Sequence, residues 1–311
     1  MTAKITNIVF TMNRPLQLHA YLKSLYEAFG DASLFKTVII YKPELFKEEY
    51  ERVFSEFKGC QVVCENVFHR DFMNVMQSCQ TPYTLFGIDD VVYWNPIDWP
   101  KAEKTLETFK NDIMGYTFRF GSDYLKSLDQ AYEKVASGGS NALRLDWTKA
   151  TNKHAAYPFE LCCTIYRTEL VKKIFAGTMN MNPAARALFS PGSACGDFLS
   201  GVFSKRSIFK KFGYFFSPNT LESWPCRWCK NNADKLPKYT YFSELCATPV
   251  QVNMVNTCTK NTWDGTEDQS VEALNQKFIE GYRFDIDFLR TNKPASLSCG
   301  KEYFKLVKLE S

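Results

Sequence analysis

"ITNIVFTMNRPLQLHAYLKSLYEAFG", Ile5 to Gly30, opens on an apolar, β-branched run, Ile5 to Thr11, and passes directly into a helical pattern. Leu18, Leu22, Leu25 and Phe29 recur at helical spacing. Asn13 stands where a helix cap belongs, Pro15 near the first turn, and Gly30 where a helix stops. The same strand-then-helix unit follows twice more. "TVIIY" (Thr37 to Tyr41) reads as a buried strand, and "PELFKEEYERVFSEFKG" as a helix with Phe46, Tyr50, Val53 and Phe57 on one face and Gly59 as its stop. "CQVVCEN" is a third short strand, and "HRDFMNVMQSCQTP" a third helix with Phe72, Val75, Met76 and Cys79 inward. "YTLFGI" (Tyr83 to Ile88) is a fourth strand. Strands alternating with helices in this way predict a parallel sheet joined by right-handed crossovers, with ligands beyond the carboxyl ends of the strands.

The later sequence is less regular. "KAEKTLETFK" predicts a helix, "DIMGYTFRF" a strand, and "SGGSNALRLDW" a loop followed by a short strand. "AAYPFELCCTIYRTELVKKIFAG" reads as a strand leading into a helix, and "MNPAARALFSPGSACGDFLSGVF" as a helical segment among Pro and Gly. "EDQSVEALNQKFIEGYRFDIDFL" predicts a helix ending near Gly281 and then an extended tail. No internal repeat or low-complexity linker separates the parts. We read residues 1–100 as a nucleotide-binding half and 101–311 as an acceptor-binding and catalytic half, continuous as one unit.

The 311 residues are 45% hydrophobic and 23% charged, which suits a sizeable core. A net charge of +4, with both signs interspersed, argues against nucleic acid as a partner. One basic cluster, Lys205, Arg206, Lys210 and Lys211, reads as a solvated face. Its alternative is attraction to an anionic acceptor or peripheral association with an acidic membrane. "MTAKITNIVFTMN" lacks the apolar core of a signal peptide, and no run is long and apolar enough for a transmembrane helix. With eleven cysteines, an odd count, reduced thiols and a cytoplasmic location are the expectation. Cys226 and Cys229 form a lone CxxC without the second close pair that a zinc site ordinarily has, so buried thiols are expected there.

Several motifs are missing. There is no GxGxxG after the first strand, no GxxxxGK[ST] and no GxSxG. Three histidines, His19, His69 and His154, make a multi-histidine metal site improbable. The adjacent carboxylates Asp89 and Asp90 remain, at the end of the fourth strand in "FGIDDVVYWNP". Two like charges there repel and are costly to desolvate together. A divalent cation relieves that cost, and Mg²⁺ or Mn²⁺ often bind through one or two carboxylates plus substrate phosphates. The alternative is a solvated turn that Asp tolerates.

"FTMNRPLQLHAYLKSL" and "FGIDDVVYWNP" resemble the GT-A type nucleotide-sugar glycosyltransferases, notably the large inverting family 2 and its relatives. "ALRLDW", "YPFELCCTIYRTEL", "FFSPNTLES" and "PVQVNMVN…LNQKFIEGYRFD" resemble a subset of such enzymes from bacterial and viral polysaccharide synthesis, so the resemblance covers most of the chain. It implies a Rossmann-like, mostly parallel sheet with helices on both faces. It also implies a nucleotide-diphospho-sugar donor (UDP, GDP or dTDP linked), Mn²⁺ or Mg²⁺, and a glycan or glycoconjugate acceptor. The family's usual motif is D-x-D. Here Ile88 and Val91 flank a bare pair, so Asp90 is assigned as metal ligand and Asp89 as nucleotide contact with the two roles exchangeable. Cys162 and Cys163 stand where relatives often carry Asp-Gly.

Inverting transfer needs one general base beside the acceptor hydroxyl. The resemblance puts Glu222 of "SPNTLES" first, against a Glu stabilised at a helix N-terminus. Glu160 and Asp197 are the other candidates; Asp197, after "GSACG", is otherwise a helix cap. Arg14 in the first turn can approach the nucleotide, or bridge to a neighbour at the sheet edge. Asn13 is a cap or a second nucleotide contact. Trp94, Trp224 and Trp228 offer stacking faces for a sugar, with core packing the alternative for each. The expected activity is metal-dependent, inverting glycosyl transfer. The rivals are a nucleotidyltransferase acting on sugar phosphates, which usually carries a Gly-rich basic loop where this chain has "TMNRPLQ", and a non-catalytic glycan-binding module.

Overall fold

The computed structural model describes residues 2–42, 44–137, 140–179, 214–255 and 267–309. The chain begins with strand β1 (Ile5–Met12), helix α1 (Pro15–Phe29), β2 (Phe35–Lys42), α2 (Lys47–Glu56), β3 (Gln61–Cys64), α3 (Phe68–Ser78) and β4 (Tyr83–Ile88). Each of these elements falls on a segment that the periodicity marks. The strands run parallel in the order β3-β2-β1-β4. Pro15 opens α1, and Gly30 closes it in the left-handed region at φ 69°, with its N–H on the Tyr26 carbonyl. Helix α2 is shorter than its pattern suggests: Phe46 and Phe57 flank it as caps, while Tyr50 and Val53 are buried.

A short strand β5 (Val91–Tyr93) and helix α4 (Trp99–Thr108) follow. Next come β6 (Ile113–Thr117), α5 (Ser122–Ser127), β7 (Glu133–Ser137), β8 (Ser140–Asp146), β9 (Thr164–Arg167) and α6 (Thr168–Thr178). Beyond residue 213 lie α7 (Pro218–Asn231), β10 (Tyr239–Phe242), β11 (Ala247–Pro249), α8 (Val271–Ile279), β12 (Tyr282–Phe284), α9 (Ile286–Thr291) and β13 (Leu306–Lys308). The stretch read as a loop and one strand is an antiparallel pair, β7 with β8. The supposed extended tail holds α9 and the β12–β13 pair, because Asp285 caps a new helix through the Phe288 N–H.

Among the described residues the main sheet has nine strands, in the order β3-β2-β1-β4-β9-β6-β10-β8-β7. Its first four strands, β6 and β10 run one way, and β9 is inserted antiparallel between β4 and β6. It is therefore a large, mostly parallel sheet continued by strands of the second half. Strand alternation sends side chains to two cores. On one face Ile5, Val9, Ile39 and Leu85 pack with Leu18, Leu22 and Leu25 of α1, Val53 of α2, Leu106 of α4 and Phe278 of α8. On the other, Ile8, Phe10, Ile40 and Phe86 pack with Phe72 of α3, Phe175 of α6 and Leu221 of α7. Helices thus cover both faces. Each fully buried side chain such as Phe72 or Leu25 contributes about 1.5–3 kcal/mol. Among the described residues no helix is long and apolar enough to cross a membrane.

Two polar devices tie the sheet to its surroundings. Asn7, buried in β1, accepts from the Tyr21 hydroxyl at 2.7 Å, locking α1 onto the sheet. Strand β5 pairs antiparallel with β11, and the Val250 N–H donates to the Asp90 carbonyl at 2.7 Å. The aspartate turn is therefore anchored by the chain that crosses it.

Candidate active site

Strand β1 ends at Met12, and the chain reverses through Asn13, which sits at φ 56°. Asn tolerates that left-handed conformation better than most residues. Its side chain does not cap α1. Instead Oδ1 accepts from the Leu45 N–H at 3.0 Å, and Arg14 takes the cap position without a side-chain cap bond. The turn brings Arg14 over the end of β4. There Arg14 Nη1 donates to Asp89 Oδ1 at 2.9 Å and lies 3.5 Å from Asp90 Oδ2. Arg14 Nε donates to Asn253 Oδ1 at 2.8 Å, and Nη2 donates to the Asn253 carbonyl. The Arg14 N–H donates to the Tyr50 hydroxyl at 2.9 Å, and Tyr50 also bonds Thr11.

The two carboxylates are therefore unequal. Asp89 is spoken for: Oδ1 by Arg14 and Oδ2 by the Met12 N–H at 3.4 Å. Asp90 Oδ1 is buried and has no hydrogen-bond partner, a costly state for a carboxylate. Burial pushes the Asp90 carboxyl up to about 6; Arg14 opposes the rise and the Asp89 charge adds to it. Burial works against the charge of Arg14, but the two aspartates more than restore it, and its pKa is raised.

These groups lie in a cleft of about 600 Å³. Its floor is Thr11, Met12, Arg14, Ile88, Asp89 and Asp90, at the carboxyl ends of β1 and β4. Lys42, Glu44 and Glu65 line it beyond β2 and β3, and Gln251 and Asn253 come from the strap after β11. The remaining wall is the start of α7: Ser217, Pro218, Asn219 and Glu222. Ser217, Pro218 and Thr220 start that helix, with the Thr220 hydroxyl accepting from the Ser217 N–H at 3.1 Å.

Glu222 sits one turn inside α7, partly exposed to the cleft. Its Oε1 accepts the Leu161 N–H at 3.3 Å. Burial pushes its carboxyl up to about 7; Glu160 adds to the rise, and the Leu161 N–H and Arg119 oppose it. An acid near 7 in a cleft has the proton affinity that a general base needs at neutral pH.

Glu160 is placed differently. It is buried, does not line the cleft, and is held by Arg119 Nη1 and the Thr164 hydroxyl, each at 2.5 Å. Asp197 and the basic cluster Lys205, Arg206, Lys210 and Lys211 lie outside the described residues. None of the three tryptophans lines the cleft. Trp94 is in the core, Trp224 packs on Phe215 and Phe216, and the Trp228 ring covers Gly177. Cys226 and Cys229 are buried thiols, and no cluster of three or more His, Cys, Asp or Glu able to hold a metal occurs among the described residues. Sequence reasoning missed Asn253 and Arg119. A charged residue closing the apolar "DIMGYTF" strand was the available signal for Arg119.

No family model matches the sequence. The bifunctional glycosyltransferase pgtA of Dictyostelium discoideum is 23% identical over a 190-residue alignment that covers 55% of this chain and 25% of that protein. The chain thus spans about a quarter of the curated relative it matches. S. aureus TarS 1-349, solved in complex with UDP-GlcNAc, superposes at TM-score 0.39 with 16% identity, over 55% of this chain and 47% of that one. A cytidylyltransferase from Leptospira borgpetersenii gives TM-score 0.37 with 8% identity, over 78% and 75%. Likenesses this distant leave the choice between sugar transfer and nucleotidyl transfer to the site itself. In sequence, the chain is similar to part of a bifunctional glycosyltransferase.

Proposed function

We propose that the protein transfers a sugar from a nucleotide-diphospho-sugar to a hydroxyl of a glycan or glycoconjugate, with inversion. The observation that carries this reading is one cleft holding two differently prepared acidic centres. The Arg14–Asp89–Asp90 cluster lies at the strand ends, and Glu222 lies on the opposing helix. The diphosphate of the donor would lie against Arg14, whose cation offsets its charge. Asp90 Oδ1, unpartnered and buried, fits a single-carboxylate site for Mn²⁺ or Mg²⁺ completed by donor phosphates, with Asp89 kept for orientation by Arg14. Such an ion supplies charge stabilisation to the diphosphate leaving group. Glu222 takes the proton of the acceptor hydroxyl as its oxygen bonds the anomeric carbon. The carbon–oxygen bond to the diphosphate breaks, and its electrons leave with the nucleoside diphosphate. No covalent intermediate is needed, so no nucleophilic Ser or Cys enters.

The test is thermal stabilisation by UDP-, GDP- and dTDP-sugars with and without Mn²⁺, followed by product analysis. Release of nucleoside diphosphate with a new glycosidic bond supports transfer. Consumption of a nucleoside triphosphate and a sugar phosphate with release of pyrophosphate makes it a nucleotidyltransferase. Stabilisation by glycans alone, with no nucleotide effect, makes it a glycan-binding module.

A further inference from the structure

Arg119 and Glu160 form a buried ion pair behind the cleft wall. Arg119 follows the end of β6, its side chain 13% exposed; Glu160, 10% exposed, precedes β9. Thr117 and Thr164 hydroxyls also donate to Glu160 Oε1, at 3.4 and 2.5 Å, and the Tyr166 hydroxyl accepts the Glu160 N–H at 2.9 Å. Glu160 is thus over-determined, and with it the next residue, Leu161, whose N–H is on Glu222. The turn ends at Cys163, held at φ 60° with its carbonyl on the Phe118 N–H. Arg119 Nε is itself buried without a partner, so the guanidinium is not placed for its own satisfaction.

We propose that Arg119 and Glu160 are positioning residues for Glu222. They pin the Leu161 N–H that orients its carboxylate, and bias its charge from two sides, without touching substrate. This rests on the reading of Glu222 as the base. The groups facing Glu222 are Glu160 and Arg119 from the 119 and 160 turns, the Tyr157 and Tyr166 phenols, and Cys226 one turn along α7. Burial and Glu222 each hold the Tyr157 phenol in its neutral form, burial and Glu160 likewise favour neutral Tyr166, and burial keeps the Cys226 thiol neutral. Among the described residues, Arg119 and Glu160 are therefore the charges left to act on it near neutral pH. Their effects oppose: the anion favours protonated Glu222 and the cation favours the carboxylate.

The experiment is a ¹³C NMR titration of glutamate-labelled protein, with the Glu222 signal assigned by its loss in Glu222→Gln. It needs no substrate. Glu160→Gln is expected to lower the Glu222 midpoint, and Arg119→Gln to raise it, each by about one pH unit. Arg119→Lys keeps the charge and is expected to stay near wild type. The double variant Arg119→Gln/Glu160→Gln, which removes both charges and leaves no unpaired ion, is expected between the two single variants. It also serves if Arg119→Gln alone does not fold. Midpoints that do not move, or move in the same direction in both single variants, overturn the proposal. If the midpoints move as expected but Glu222→Gln retains full transfer, the proposal stands as electrostatics and the base assignment fails instead.

Discussion

The Arg14 guanidinium lies 2.9 Å from the Asp89 carboxylate, across a gap of 75 residues in sequence. That contact explains how a chain can end a buried strand on two adjacent aspartates. One is neutralised from within by a cation that the preceding turn delivers. The other is left with a buried, unsatisfied oxygen. The repulsion of the pair is therefore only half relieved by the protein, and the remainder is available to a ligand.

Arg14→Gln leaves Asp89 and Asp90 buried with no cation beside them. Breaking a buried pair by removing one partner typically costs about 3–5 kcal/mol. The measurement is urea denaturation at pH 7.5, where both carboxylates demand a counter-charge. Arg14→Lys is expected to recover part of the loss. It keeps the charge but not the fork that reaches Asp89 and Asn253 together. Equal stability in all three proteins would show that the pair is solvated and uncoupled.

Asp90 makes the protein less stable at high pH. Its folded pKa, about 6, lies above the usual aspartate value, so the folded state holds a proton that the unfolded chain releases. The favourable contribution of that proton is fully present below about pH 4 and is lost as pH rises through 6. Asp90→Asn, which stays neutral, should therefore stabilise the nucleotide-free protein at pH 8, by on the order of 2 kcal/mol, and about half as much at pH 5. The melting temperatures of the two proteins at the two pH values check the sign. Nucleotide binding with Mn²⁺ should show the reverse dependence, strengthening as Asp90 ionises.

The parallel half was legible because the evidence for it repeats: three times a β-branched run hands over to a helical period, and Gly30 stops α1 at the left-handed position it can occupy. The Asp89–Asp90 turn was legible for the same reason, since it ends one of those runs. The partners of the site were not. Arg14 meets Asn253 over 239 residues, and Arg119 meets Glu160 over 41, distances at which no local pattern operates. Helix α7 was legible only as a helix start, the alternative reading of Glu222, because Pro225 lies inside it, a residue that ordinarily argues against a longer helix. The three-residue strands β5 and β11 are too short to show a period, yet their pairing holds the strap beside Asp90.

Glu222→Gln preserves shape and the Leu161 bond but cannot accept a proton. It is expected to lower kcat by about 10²–10⁴-fold while leaving donor-nucleotide affinity within a few-fold of wild type. In the wild type, kcat/KM should rise with pH through an apparent pKa near 7, the value to which burial and Glu160 push this carboxyl. Donor binding by calorimetry and a pH–rate profile separate the two parts. A variant that loses nucleotide binding and turnover together would place Glu222 in the donor site rather than at the acceptor.

Gly87 is where packing and chemistry meet most closely. It lies in β4, two residues before Asp89, and a Cβ there would overlap the Tyr21 hydroxyl and ring. Tyr21 is fully buried and bonds Asn7, so it has nowhere to withdraw without breaking the contact between α1 and β1. Gly87→Ala is therefore expected to cost about 1–3 kcal/mol by overpacking. The displaced strand end should also weaken nucleotide binding, since Asp89 and Asp90 move with it. Gly59→Ala is the control, because a Cβ at that position meets nothing within 4 Å. Urea midpoints and nucleotide-dependent thermal shifts on both proteins give the comparison. Loss of stability at position 87 without loss of nucleotide binding would mean that the contacts from Val250, Arg14 and Met12 hold the aspartate turn in place regardless of the strand before it.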